Sequence, residues 1–277
     1  MASHNTDVTT SGASEKVLGN TGGVIGHLHP LTHTVREIVG IFVELGFAVA
    51  QGPELEDEFH NFNALNIPKD HPARDMQDTF WLKESRATHH VTSAPERNAT
   101  APSERHELEA LSQKLLLRTH TSSVQVRYME THKPPFRIVV PGKVFRNEAT
   151  DATHEAQFFQ IEGLLVDETA SLAQLKGVLV HFIERYFGKG IEYRFRPSFF
   201  SFVEPGMEVD IKRNGKWMEM LGAGMVHPNV LRAVNIDPTK YRGFAFGMGV
   251  DRFVLAKHGI DDIRFLYDGD LRLVNQF

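Results

Sequence analysis

Two short apolar segments separated by a polar run constrain this chain more than anything else in its sequence. They are Val144-Phe145-Arg146-Asn147-Glu148 and Phe158-Phe159-Gln160-Ile161-Glu162-Gly163. In the second, Phe159, Ile161 and Leu165 alternate with Gln160 and Glu162 at the two-residue period of a strand with two unlike faces. Residues 149–155 between them are polar, as a long hairpin loop requires. A surface hairpin accounts for one charged residue per strand. It does not account for Arg146, Glu148, Gln160 and Glu162 gathered on adjacent strands of an otherwise apolar element. Charges collected in a partly buried place cost free energy unless a ligand or partner satisfies them.

Composition narrows the class. A chain of 277 residues can bury a sizeable core as one large domain or two small ones. The absence of cysteine excludes disulfides, thiolate nucleophiles and thiolate metal sites. No apolar run approaches the ~20 residues that span a bilayer, and the N-terminus lacks the apolar core of a signal peptide, so the default location is the cytoplasm. A net charge of −5 argues against a free-standing nucleic-acid binder. An enzyme that touches only the end of an RNA is compatible with it.

Along the chain, residues 1–26 are rich in Ser, Thr, Asn and Gly and read as a disordered or linker segment. Val35, Ile38, Val39, Phe42 and Leu45 follow helical spacing, and Gly46 stands where a left-handed cap belongs. A short strand, 47–50, precedes Gly52-Pro53. The polar residues 83–113 read as a surface insertion with solvated histidines. Strands are expected over 115–119 and 136–140, and a helix over 122–130 starting on a Thr/Ser cap, whose N-terminus suits a carboxylate or phosphate. Leu172, Leu175, Val178, Leu179, Phe182 and Tyr186 mark a scaffold helix ended by Gly188. Asn214-Gly215 between 208–211 and 217–221 predicts a hairpin, and Leu221-Gly222-Ala223-Gly224 a tight turn. In Phe199-Phe200-Ser201-Phe202 the aromatic run is broken by serine, as in a lined cleft rather than a closed core.

Arg-x-Glu, a loop, then Phe-x-Gln-x-Glu-Gly resembles motif 2 of the class II aminoacyl-tRNA synthetases. The words Leu117-Arg118-Thr119-His120-Thr121-Ser122 and Asp151-Ala152-Thr153-His154-Glu155 resemble the catalytic α subunits of bacterial phenylalanyl-tRNA synthetases. So do Phe62-Asn63-Ala64-Leu65-Asn66 and Gln77-Asp78-Thr79-Phe80-Trp81. Helix, strand and proline at 34–53 resemble motif 1, and Gly243-Phe244-Ala245-Phe246-Gly247-Met248-Gly249 followed by Arg252 resembles motif 3.

This resemblance implies an α+β fold of the class II catalytic type, an antiparallel sheet flanked by helices, over residues 27–277. It implies a ligase that activates L-phenylalanine with ATP and transfers it to the 3′-terminal adenosine of phenylalanine tRNA. By the same resemblance Arg146 clamps the α-phosphate and Arg252 the γ-phosphate, Glu148 accepts from the adenine amino group, and Phe158 stacks on the ring. These place Arg146, Arg252 and Glu148 in the catalytic set, with His154 approaching the phosphates. His120, Ser122, Gln160 and Glu162 would hold the amino acid. Phe200, Phe202 and Val203 would line its pocket, Ala245 would floor it, and Gly247 would leave room. Mg²⁺ would bridge phosphates with help from Glu204 or Glu219, between which the sequence does not choose. The implied partner is a β subunit in an α₂β₂ heterotetramer. No tRNA-gripping helical arm is legible before Gly26, so the chain reads as truncated or armless.

Two other readings compete. A non-charging synthetase-like paralogue could bind amino acid or ATP as a regulator. The 15 histidines raise a metalloenzyme, but His106-Glu107 and His154-Glu155 lack the second histidine of HExxH.

Overall fold

The computed structural model describes residues 26–75, 78–82 and 114–277. Segments 1–25 and 83–113, including the expected linker and insertion, lie outside them.

Helix α1 (Pro30–Glu44) starts where the His29 ring accepts the Leu31 N–H and Pro30 presets the first turn. Its buried stripe is Leu31, Thr34, Ile38, Ile41 and Phe42. Gly46, at φ +83°, lets the chain leave in the left-handed conformation. Next come β1 (Ala48–Val49), β2 (Leu55–Asp57) and the short helix α2 (Glu58–Asn61). After residue 113 follow β3 (Leu115–Leu117), α3 (Ser122–Thr131), β4 (Phe136–Phe145) and β5 (Gln157–Asp167). Helix α4 (Leu172–Phe187) opens with a reciprocal Ser171/Gln174 capping box and closes on Gly188. Then come β6 (Tyr193–Phe200), β7 (Val203–Arg213), β8 (Lys216–Val226), α5 (Pro228–Ala233), β9 (Arg242–Gly249), α6 (Val250–His258) and the terminal turn α7 (Leu271–Val274).

Seven strands form one sheet in the order β1-β4-β5-β9-β8-β7-β6. The α+β expectation holds, with one change: β1 joins β4 in parallel, so the sheet is mixed although otherwise antiparallel. Helices α1, α4 and α6 cover one face, where Phe42 stacks between Phe182 (4.9 Å) and Phe246 (4.7 Å). Strand alternation turns Ile161 and Leu165 into that core and Leu164 and Val166 towards the other. Among the described residues no helix is long and apolar enough to cross a membrane.

Three local expectations change. Arg146 and Glu148 stand just beyond β4 rather than within it; the Arg146 N–H still pairs with the Ala156 carbonyl at 2.9 Å, so both lie at the base of the loop. Gly222-Ala223-Gly224 is the interior of β8, not a tight turn. Its small residues serve close packing: a Cβ on Gly222 would stand 2.9 Å from the Phe200 ring. Finally, α3 begins after Thr121, but the Thr121 side chain makes no cap bond. The predicted turn at Asn214-Gly215 does form, with φ +50° and +76° matching the right-handed twist of the strands.

Candidate active site

Glu162, Gly247 and Gly222 are successive cross-strand neighbours on β5, β9 and β8. A carboxylate followed across the sheet by two glycines makes a shallow floor. A Cβ at Gly247 would stand 3.1 Å from Glu162 Cγ, so the glycine leaves space for that side chain as well as for a ligand. Above this row lies a cavity of ≈ 610 Å³. It is lined by every site residue expected from the sequence except Glu204: His120, Ser122, Arg146, Glu148, His154, Phe158, Gln160, Glu162, Phe200, Phe202, Val203, Glu219, Ala245, Gly247 and Arg252.

At one end Glu162 is buried and accepts from the Thr121 backbone N–H (3.1 Å), the Ser122 hydroxyl and the Gln125 amide (3.0 Å). Burial pushes its carboxyl up to about 6, against the opposing pull of those donors and of Arg146 and Arg118. The start of α3 is therefore fastened to β5 by this carboxylate. Asn61 fixes the preceding word, bonding both the Thr119 hydroxyl (3.0 Å) and its N–H (3.2 Å). Next to it, both His120 ring nitrogens are buried without a hydrogen-bond partner, and so is Gln160 Oε1. Burial, then the nearby Arg146 guanidinium, pushes His120 down to about 3, leaving a neutral ring. Unpartnered buried polar atoms around a cavity are what a polar ligand would satisfy.

The other end is cationic. Arg146 donates from Nε to the Thr119 carbonyl (3.2 Å) and lies 5.0 Å over the Phe158 ring. Burial lowers its pKa, while Glu148 and Glu162 oppose the shift. Arg252, on the first turn of α6, donates to the Glu219 carbonyl (2.9 Å) and lies 3.5 Å from its carboxylate. Glu219 reaches this face through a bulge: β8 pairs Leu221 with Val209 but Glu219 with Asp210, so Met220 is an extra residue. Simple alternation, which puts Glu219 on the side of Leu221, misses this. Glu148 and His154 are exposed at the rim, with His154 Nδ1 3.1 Å from the Asp151 carboxylate.

Between these ends the wall is apolar. Phe200 and Phe202 stack at 5.8 Å, with Val203 beside them, and Ala245 lies on β9 between Leu164 and Gly224. Glu204 stands apart: its side chain is 77% exposed, 3.6 Å from His227, in a neighbouring surface pocket. The sequence reading also missed Asn61, Thr121, Gln125 and Met220. The first three act through backbone or amide contacts that no local pattern announces.

The description "tRNA synthetases class II core domain (F)" belongs to the family model that matches residues 18–277. Among solved structures, pyrrolysyl-tRNA synthetase from Desulfitobacterium hafniense superposes with a TM-score of 0.59 at 15% identity, over 84% of this chain and 71% of that one; the likeness is one of fold. Sheet, cleft and family match together define a class II aminoacyl-tRNA synthetase core. The phenylalanine–tRNA ligase alpha subunit of Shewanella sp. (strain MR-7) is 51% identical over 254 residues, 91% of this chain and 68% of its own. That of Vibrio vulnificus (strain YJ016) is 49% identical over 278 residues, covering 100% and 73%. The chain belongs to the family of phenylalanine–tRNA ligase alpha subunits.

Proposed function

We propose that this chain activates L-phenylalanine with ATP and passes the phenylalanyl group to the 3′ end of phenylalanine tRNA, as the catalytic subunit beside a β subunit in an α₂β₂ assembly in the cytoplasm. One observation carries the reading: a single cleft joins an arginine-bearing end to an end with a buried carboxylate and an aromatic wall.

Adenylation is an in-line attack of the phenylalanine carboxylate on the α-phosphate. It needs orientation and charge neutralisation more than a proton acceptor. Arg146, held by Thr119 and backed by Phe158, would take the α-phosphate with its planar fork. Arg252 would hold the γ-phosphate and Glu148 the adenine amino group. Glu162 and Gln160 would orient the ammonium, and neutral His120 and Ser122 would contact the amino acid.

Mg²⁺ uses one or two carboxylates together with substrate phosphates. Glu219, beside Arg252 in the cleft, fits that requirement. Glu204 lines the neighbouring surface pocket and not the cleft. When bound, the ion would neutralise phosphate charge. Among the described residues the one close three-ligand grouping, Glu56, Asp57 and His60, is engaged with Arg127 and Glu130 and does not line the cleft.

Phenylalanine-dependent ATP–pyrophosphate exchange, with and without the host's β subunit, tests the reading. Exchange that appears when β is added supports the subunit assignment. Folded protein that binds phenylalanine but never supports exchange would instead favour the regulatory paralogue. The pocket has its own test. Ala245→Gly should raise kcat/KM for 4-chlorophenylalanine by about ten-fold, because one methyl in an apolar wall is worth that much discrimination. If the variant activates this substrate no better than wild type, Ala245 does not floor the pocket.

A further inference from the structure

Asp251 is a buried carboxylate with no part in the chemistry above. It sits on the first turn of α6, one residue before Arg252. Its Oδ2 accepts the Phe159 backbone N–H at 3.0 Å, between Phe158 and Gln160 on β5. Its Oδ1 accepts the Tyr267 hydroxyl. Tyr267 follows a 3₁₀ turn, Ile263–Leu266, whose first residue donates its N–H to the Ala152 carbonyl at 3.0 Å. Ala152 lies in the 146–156 loop that carries Glu148 and His154, and Ile263 lines the cleft.

We propose that Asp251, Tyr267 and Ile263 form a brace, through which the segment after α6 positions the nucleotide-binding end of the cleft without touching the reacting atoms. The proposal rests on reading the Arg146–Arg252 end as the ATP site.

Arg252 stands on a helix, Phe158 on a strand, and Glu148 and His154 on a loop, so their relative placement needs cross-links between three elements. Asp251 ties helix to strand, Tyr267 ties the later segment to Asp251, and Ile263 ties that segment to the loop. The loop's internal bonds, from the Thr153 and His154 N–H groups to the Asp151 carboxylate, stiffen it but do not place it. A further backbone bond, from Asn147 to Asp78 at 3.2 Å, holds only its near end. Burial raises the Asp251 carboxyl overall, and the Tyr267 and Phe159 donors oppose that shift. None of these bonds reaches Phe200, Phe202 or Val203. The brace therefore bears chiefly on ATP and leaves the aromatic wall alone; of the residues assigned to phenylalanine only Gln160, next to Phe159, adjoins it.

Tyr267→Phe removes the hydroxyl and keeps the ring; Asp251→Asn keeps the shape and removes the charge. Both are to be made in the chain assembled with its β subunit. Loss of a hydrogen bond to a buried carboxylate should raise backbone amide exchange over residues 147–156 about ten-fold. It should also raise KM for ATP by a similar factor, with KM for phenylalanine changed by less than about two-fold. Unchanged amide exchange over 147–156 in both variants would overturn the brace. So would an equal rise in both KM values, which a general loosening of the fold produces. If wild type shows no pyrophosphate exchange, the ATP reading fails on its own, while the amide exchange still decides whether the brace exists.

Discussion

Arg146→Ala is expected to slow phenylalanine-dependent ATP–pyrophosphate exchange by about 10²–10³-fold, the usual effect of deleting one donor aimed at developing charge. The size follows from the setting. The guanidinium is largely removed from water, anchored by the Thr119 carbonyl and supported by the Phe158 ring, so in the proposed role it would meet a phosphate without reorganising. Arg146→Lys keeps the charge but loses the planar fork and the bond from Nε, and should recover only part of the rate. Phenylalanine affinity, measured separately by equilibrium binding, should change little because the aromatic wall is untouched. An Arg146→Ala enzyme within about ten-fold of wild type would remove this residue from the α-phosphate.

Glu162 should produce the largest loss of stability. Glu162→Ala leaves the Thr121 N–H, the Ser122 hydroxyl and the Gln125 amide without their acceptor. Breaking such a buried charged cluster costs about 3–5 kcal/mol, measurable by urea unfolding. The carboxylate also carries its own burial cost. Its folded pKa of about 6 exceeds the ordinary 4.5, so the folded state holds the proton more tightly than the unfolded chain. Stability from this group therefore falls as pH rises from 4.5 through 6, by about 2 kcal/mol in all. Binding runs the other way. On the proposed role of Glu162 the phenylalanine ammonium needs the ionised form, so KM for phenylalanine should rise as pH falls below about 6, approaching ten-fold per unit. Glu162→Gln should abolish that acid limb. A KM for phenylalanine that stays flat between about pH 5 and 8 would separate Glu162 from the ammonium.

The central hairpin was legible because two physical signals coincide there. A period of two marks the strand, and charge inside an apolar strand marks a ligand site. The scaffold helices were legible for a similar reason: buried stripes and end signals such as Gly46 and Gly188 are local properties. The resemblance to class II motifs then supplied roles for residues up to 132 positions apart, as His120 and Arg252 are, and the fold places them around one cleft.

What the chain's local chemistry could not reveal depends on its neighbours in space. The Gly-Ala-Gly word signals a turn by composition, yet it runs as strand paired on both sides, and its glycines are there because Phe200 crowds position 222 and Val203 with the Pro205 carbonyl crowds 224. Glu219 faces the cleft only because a bulge against β7 breaks the alternation. Glu204 and Glu219 looked equivalent as carboxylates, and the packing of β6, β7 and β8 sent them to different pockets. The sequence by itself determined the periodicities, the caps, the charged residues and their family pattern, because each is written within a few residues. Tertiary structure alone decided which donors meet Glu162, which carboxylate joins Arg252 and what Asp251 ties together, because hydrogen bonds across 16 to 92 residues of chain depend on how the sheet and helices pack.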